Sequence, residues 1–352
     1  MVVKRILVFG VFAAVFVAAC GGASDTGSPS PSVVSTSTSS TTGTTSSTTT
    51  RPATSTSEHE AEGSGAVLLG AYVEPRGAFT DEGRREAVLE HEATIGRTLD
   101  VVNEFFSFDK PWAIDRLEWH IDSGRGLMIS WNGTHADSIL DGDADEVIRQ
   151  RARWTAELAV PLLLRFFWEP DAAKGNTWGY HDDPTRYHDV WNYVRAIFAE
   201  EGADNAKWVW TPTTWHFVTG NAPAFYPGDD VVDVIGADGY LWSPCQGGIE
   251  SATDVFGAFL DWANDRDKPV VFAEWGADED GGSGSKAGFV EELHDLAAGI
   301  DKLMALVVFD AVDPGGRGCD WRIDSSAEAL EAYLRLANDP RFDGDPGQLA
   351  LL

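Results

Sequence analysis

Two glutamates stand where chemistry could be done. Glu169 closes the run Arg165-Phe166-Phe167-Trp168-Glu169-Pro170-Asp171, and Glu274 sits in Val271-Phe272-Ala273-Glu274-Trp275-Gly276. Each emerges from an apolar stretch beside tryptophan. Two carboxyl groups facing one cavity are the minimal equipment for cutting a glycosidic bond: one begins protonated and gives its proton to the leaving oxygen, the other begins ionised and attacks the sugar carbon. Their surroundings must separate their pKa values, and Trp and Phe neighbours would raise one of them by withholding water. Sugars also present apolar faces that stack on aromatic rings, and the chain holds 14 Trp and 18 Phe. A single Glu at a strand end is commonly a solvated rim charge; two of them, three strands apart and both flanked by Trp, argue for chemistry. Glu74, Asn103 with Glu104, Asp238 with Tyr240, and Asp310 hold comparable strand-end positions.

The elements that must present these groups can be read from periodicity. Val67–Val73, Leu99–Phe106, Gly126–Trp131, Pro161–Trp168, Lys207–Thr211, Val231–Asp238, Pro269–Trp275 and Leu303–Asp310 are short apolar runs of the kind buried on both faces. Helical patterns follow the first four at Glu82–Ile95, Pro111–Asp122, Asp143–Leu158 and Pro184–Glu201, and the last three at Asp254–Asn264, Lys286–Ile300 and Ser326–Ala337. After the fifth run, Pro212, Pro223 and Pro227 leave mostly loop. Eight βα units with one damaged helix predict an α/β fold, a single (β/α)8 TIM barrel, whose active site lies at the C-terminal ends of the strands. A doubly wound open sheet would show a Gly-rich turn after the first strand, and Tyr72-Val73-Glu74-Pro75 is not one.

The 352 residues divide by composition. Lys4 and Arg5, then the 14 apolar residues Ile6–Ala19, then Cys20, form a secretory signal whose end resembles a bacterial lipobox. That pattern leads us to expect a lipoprotein signal peptide over 1–19, lipidation of Cys20 and a surface-anchored extracellular protein, or a secreted one. A Ser/Thr-rich flexible linker follows over 20–63, a catalytic domain over 64–345 and a C-terminal tail over 346–352. The first 57 residues carry +2, so the remainder carries −32 of the total −30. Such an acid excess excludes general nucleic-acid binding and docking on anionic lipid except through the anchor. A monomer acting on a neutral polymer is expected. The pair Cys245 and Cys319 in an exported domain predicts one disulfide. No CxxC or HExxH spacing occurs, so neither metal nor cofactor is expected. Ser283-x-x-Lys286 lies in an acidic Gly-rich loop and lacks the companion motifs of a serine acyl-enzyme.

At four places the sequence resembles glycoside hydrolase family 26, chiefly β-mannanases. These are Asn205-Ala206-Lys207-Trp208-Val209-Trp210-Thr211-Pro212, the stretch Ala224 to Tyr240, Lys268 to Gly276, and Asp320-Trp321-Arg322-Ile323-Asp324-Ser325-Ser326. The resemblance implies a retaining double displacement on β-1,4-mannan or a related β-linked polysaccharide. Glu274 would be the nucleophile and Glu169 the acid/base, with carboxyl groups about 5–5.5 Å apart. It further implies that Tyr240 orients the nucleophile and that Arg165 pairs with acids under the site. Trp168, Trp178, Tyr180, Trp275 and Trp321 would contact substrate. The family run His-Glu-Met-Asn is Trp168-Glu169-Pro170-Asp171 here. That loss of an imidazole leaves xylan and mixed-linkage glucan open as substrates, and a non-catalytic glycan-capture lipoprotein as the alternative.

Overall fold

The strand runs carry too few polar side chains to face water, so each is buried on both faces in a parallel sheet. In the computed structural model, which describes residues 65–171, 183–243, 245, 251–279 and 285–352, they are β1 (Leu68–Val73), β2 (Val101–Phe106), β3 (Gly126–Trp131), β4 (Leu162–Phe166), β5 (Ala206–Trp210), β6 (Val234–Leu241), β7 (Val270–Ala277) and β8 (Leu303–Asp310). All pairings are parallel, each strand beside the next, and β8 returns to β1 to close a barrel. The expectations for Cys20, the leader and the linker fall outside the described residues, as do those for Trp178 and Tyr180.

The helices wrap this barrel: α1 (Asp81–Ile95), α2 (Ile114–Asp122), α3 (Ala136–Leu140), α4 (Asp145–Leu158), α5 (Pro184–Glu200), α6 (Thr214–Val218), α7 (Ala252–Asn264), α8 (Ser285–Ala298) and α9 (Ala327–Ala337). Their starts follow capping chemistry. Thr80, Asp183, Ser251 and Ser326 accept hydrogen bonds from first-turn amides, and Pro184 opens α5, where an amide is not needed. Between β5 and β6 stand only the five residues of α6 and a 3-10 turn, Ala222–Phe225, the segment where prolines break the helical pattern.

Alternation along each strand separates two cores. Leu162, Leu164 and Phe166 pack outward among the helices, whereas Leu163 joins Leu68, Val101, Met128, Val209, Val234 and Val271 inside the barrel. Leu349 joins that inner cluster from the 3-10 turn Pro346–Leu351. The last residues, expected to be a tail, thus contribute to the core. At the other end the inward positions become polar and aromatic.

Candidate active site

Inward alternation carries Asn103, Ser130, Arg165, Asp238 and Tyr240 toward the C-terminal mouth. Glu274 needs a further device. Ala237 pairs with Phe272 but Asp238 pairs with Glu274, so β7 holds one extra residue, Ala273, opposite β6. This bulge resets the alternation and turns Glu274 inward beside Asp238. The same reset sends Trp275 outward, where its ring lies 6.0 Å from Tyr333 on α9. The expectation that Trp275 contacts substrate is therefore corrected: it is core between barrel and helix.

Arg165 is the hub. Fully buried, it donates from Nη1 to Glu274 Oε1 at 2.8 Å and to Ser130 Oγ at 3.0 Å. Its Nη2 donates to Asp238 Oδ2 at 2.5 Å and its Nε to Thr211 Oγ1 at 3.2 Å. Ser130 in turn donates to Asn103 Oδ1 at 2.7 Å. Burial opposes the guanidinium charge, but Asp238 and Glu274 more than offset it and raise its pKa. Asp238 is also raised, but here burial is the cause: it pushes the carboxyl well up, with Glu274 and Glu169 adding to this against the pull of Arg165. The Tyr240 hydroxyl donates to Glu274 Oε2 at 2.5 Å, and burial, then the Glu274 charge, push the phenol well up, so it keeps the proton it donates. Glu274 is thereby gripped on both oxygens by donors.

Glu169 lies just past the end of β4 on a strained turn. Phe167 and Glu169 have φ of 47° and 50°, a left-handed conformation that non-glycine residues adopt only when their surroundings enforce it. Phe167 N–H donates to Trp131 O at 2.8 Å and Glu169 N–H to Thr211 O at 2.7 Å. Gly133 leaves room for the Phe167 ring, which would stand only 2.4 Å from a Cβ there. The Glu169 carboxyl is pushed up to about 8, first by burial, then by the charges of Glu274 and Asp171; Arg165 and Arg317 pull the other way. Two carboxyl groups near one another thus have different surroundings: Glu274 is gripped by Arg165 and Tyr240, and Glu169 keeps its proton at neutral pH.

Aromatic rings surround them. Trp168 sits with its edge to Phe105, centroids 5.1 Å apart, and its face 6.0 Å from the Arg165 guanidinium. Tyr72, Phe105 and Phe309 pack together on the β1, β2 and β8 side. Trp321, only 3% exposed, lies 4.4 Å from the Tyr240 ring and 5.0 Å from Trp242. The loops bearing Trp242 and Trp321 are joined by the disulfide Cys245–Cys319. Asp278 ties both loops again by accepting from Cys245 N at 2.9 Å and Asp320 N at 2.8 Å. Lys286 holds the second loop through Asp320 O at 2.9 Å and Ser325 Oγ at 2.8 Å, so the Ser283-x-x-Lys286 lysine has a structural duty.

Two other strand-end acids turn away from the mouth. Glu104 bonds Arg116 and His120 of α2, and Asp310 bonds His91 of α1. Sequence reasoning noted Asp238 but not its bond to Arg165. It missed Ser130, Thr211, Asp171 with His216, and Trp242. Inward parity on the strands could have found the first two; the others depend on loop geometry.

Comparison with known proteins agrees with the resemblance. The family description "Glycosyl hydrolase family 26" matches residues 119–264, a span that contains Glu169 and ends before Glu274. Endoglucanase H of Acetivibrio thermocellus is 29% identical over 263 residues, covering 70% of this chain. The chain spans only 28% of that relative's length. A family 26 β-mannanase from Bacteroides ovatus superposes with a TM-score of 0.61 at 16% identity, over 78% of this chain and 89% of that one. The β-mannanase of a symbiotic protist of the termite Reticulitermes speratus, solved with a gluco-manno-oligosaccharide, gives 0.56 at 17% identity, over 80% and 90%. The two structures show the shared barrel, and the family match supports a glycoside hydrolase.

Proposed function

We propose, with the family 26 match as premise, that this chain is a retaining endo-glycosidase acting on β-1,4-mannan or a related β-linked plant polysaccharide. The observation that carries it is the pairing of Glu169, held protonated by burial and by neighbouring charges, with Glu274, gripped by Arg165 and Tyr240. In the first step Glu274 attacks the anomeric carbon while Glu169 gives its proton to the departing glycosidic oxygen. The glycosyl–Glu274 ester is then opened by water, whose proton returns to Glu169. Arg165 and Tyr240 steady the carboxylate before attack and receive it again after release. The aromatic wall of Trp168, Phe105 and Tyr72 offers apolar faces to sugar rings.

A mixed-linkage glucan is the second reading. It is supported by Trp168 in place of the family imidazole, which removes a polar contact, and by similarity to an endoglucanase. The leader and Cys20 support a lipid-anchored enzyme at the cell surface. The test is reducing-sugar release from mannan, xylan and mixed-linkage glucan by wild type and Glu274→Ala. The expected result is cleavage of one polymer by wild type and a loss of more than about 10⁴-fold in the variant. Binding without cleavage by wild type would instead identify a glycan-capture protein.

A further inference from the structure

The strained turn at Glu169 is tied down by a residue outside the double-displacement pair. Pro170 has no N–H to offer, and the next residue, Asp171, does the tethering with its side chain. That carboxylate is fully buried and accepts from Thr213 N at 3.2 and 3.1 Å, from Thr213 Oγ1 at 3.1 Å and from His216 Nδ1 at 2.9 Å. Thr213 also forms a parallel bridge with Asp238 of β6. The link therefore runs from the acid's turn to the start of α6 and on to the partner of Arg165.

We infer that Asp171 is a positioning residue for Glu169, fastening the turn that presents the acid and placing a second negative charge behind it. This rests on Glu169 being the acid/base. The charges that act on Glu169 beside Asp171 are those of Arg165 from β4, Glu274 from β7 and Arg317 from the loop after β8; Asp238 and Tyr240 of β6 in turn feel the Glu169 charge, and His216 of α6 is bonded to Asp171. Of the influences that raise the Glu169 pKa, burial is first, Glu274 second and Asp171 third. Removing the Asp171 charge makes Glu169 lose its proton at lower pH, so the alkaline limb of activity moves down.

Asp171→Asn keeps the shape and an acceptor for Thr213 N while removing the charge. Thr213→Val keeps the charge and removes one donor. For Asp171→Asn the expected result is an alkaline limb of kcat/KM lower by about half a pH unit or more, with kcat on the acidic side within about tenfold of wild type. For Thr213→Val it is a lower kcat with the limb in place. The Glu169 titration is also followed directly by carboxyl 13C NMR, with the signal assigned through Glu169→Gln. An unmoved Glu169 titration in Asp171→Asn overturns the inference, and so does an equal limb shift in Thr213→Val. A Glu169 titration that moves down in Asp171→Asn, in a protein that cuts no polysaccharide, upholds the electrostatic role and sinks the glycosidase reading instead.

Discussion

At the scale of single residues, Glu169 trades stability for protonation. Burial and neighbouring acids push its carboxyl up from 4.5 in an unfolded chain to about 8 in the folded one. A folded-state pKa above the unfolded value means that the folded state holds the proton more tightly. The contribution to stability is then full below about pH 4.5 and is lost as pH rises through about 8. Glu169→Gln has no proton to lose, so its melting temperature relative to wild type should climb between pH 4 and pH 8, while its activity falls about 10²–10⁴-fold. Thermal melts at several pH values check this; a constant difference across that range would contradict the assignment. Glu169 and Glu274 were legible because each follows or interrupts an apolar run beside Trp. Asp171 was not, since its importance comes from Thr213 and His216, more than forty residues away in sequence.

At the scale of elements, two features shape the mouth. The extra residue in β7 decides that Glu274 faces inward and Trp275 outward. Strand boundaries were legible to within a few residues because parallel buried strands read as unbroken apolar runs. The bulge was not, because a one-residue insertion leaves hydrophobicity unchanged while reversing every later side chain. The second feature is the disulfide across 74 residues, which ties the Trp242 loop to the Trp321 loop. Reducing it, or replacing Cys245 and Cys319 with Ser, should lower stability by about 2–4 kcal/mol and raise KM more than it lowers kcat. Melts and kinetics with and without reductant test both; unchanged KM would mean that the two loops do not need the clip to receive substrate.

At the scale of the whole molecule, charge is unevenly divided along the chain. The first 57 residues carry +2 and the rest −32, so the charge lies in the part that includes the barrel. Such a surface suits a neutral polymer and stays soluble. We propose that Cys20 is lipidated and holds the enzyme at the cell surface. Cys20→Ser should then move the protein from the membrane fraction to the medium in an expressing bacterium, as fractionation would show; retention in the membrane fraction would count against the anchor. The sequence by itself determined the barrel, its eight strands and the two carboxyl groups at its mouth, because burial on both faces and a polar residue at a strand end are local, periodic signals. Only the tertiary structure decided which neighbours charge those groups. Arg165 reaches Glu274 and Asp238 across the barrel, and Asp171 reaches α6. A pKa depends on distances between side chains far apart in the chain, and those distances exist only once the barrel has closed.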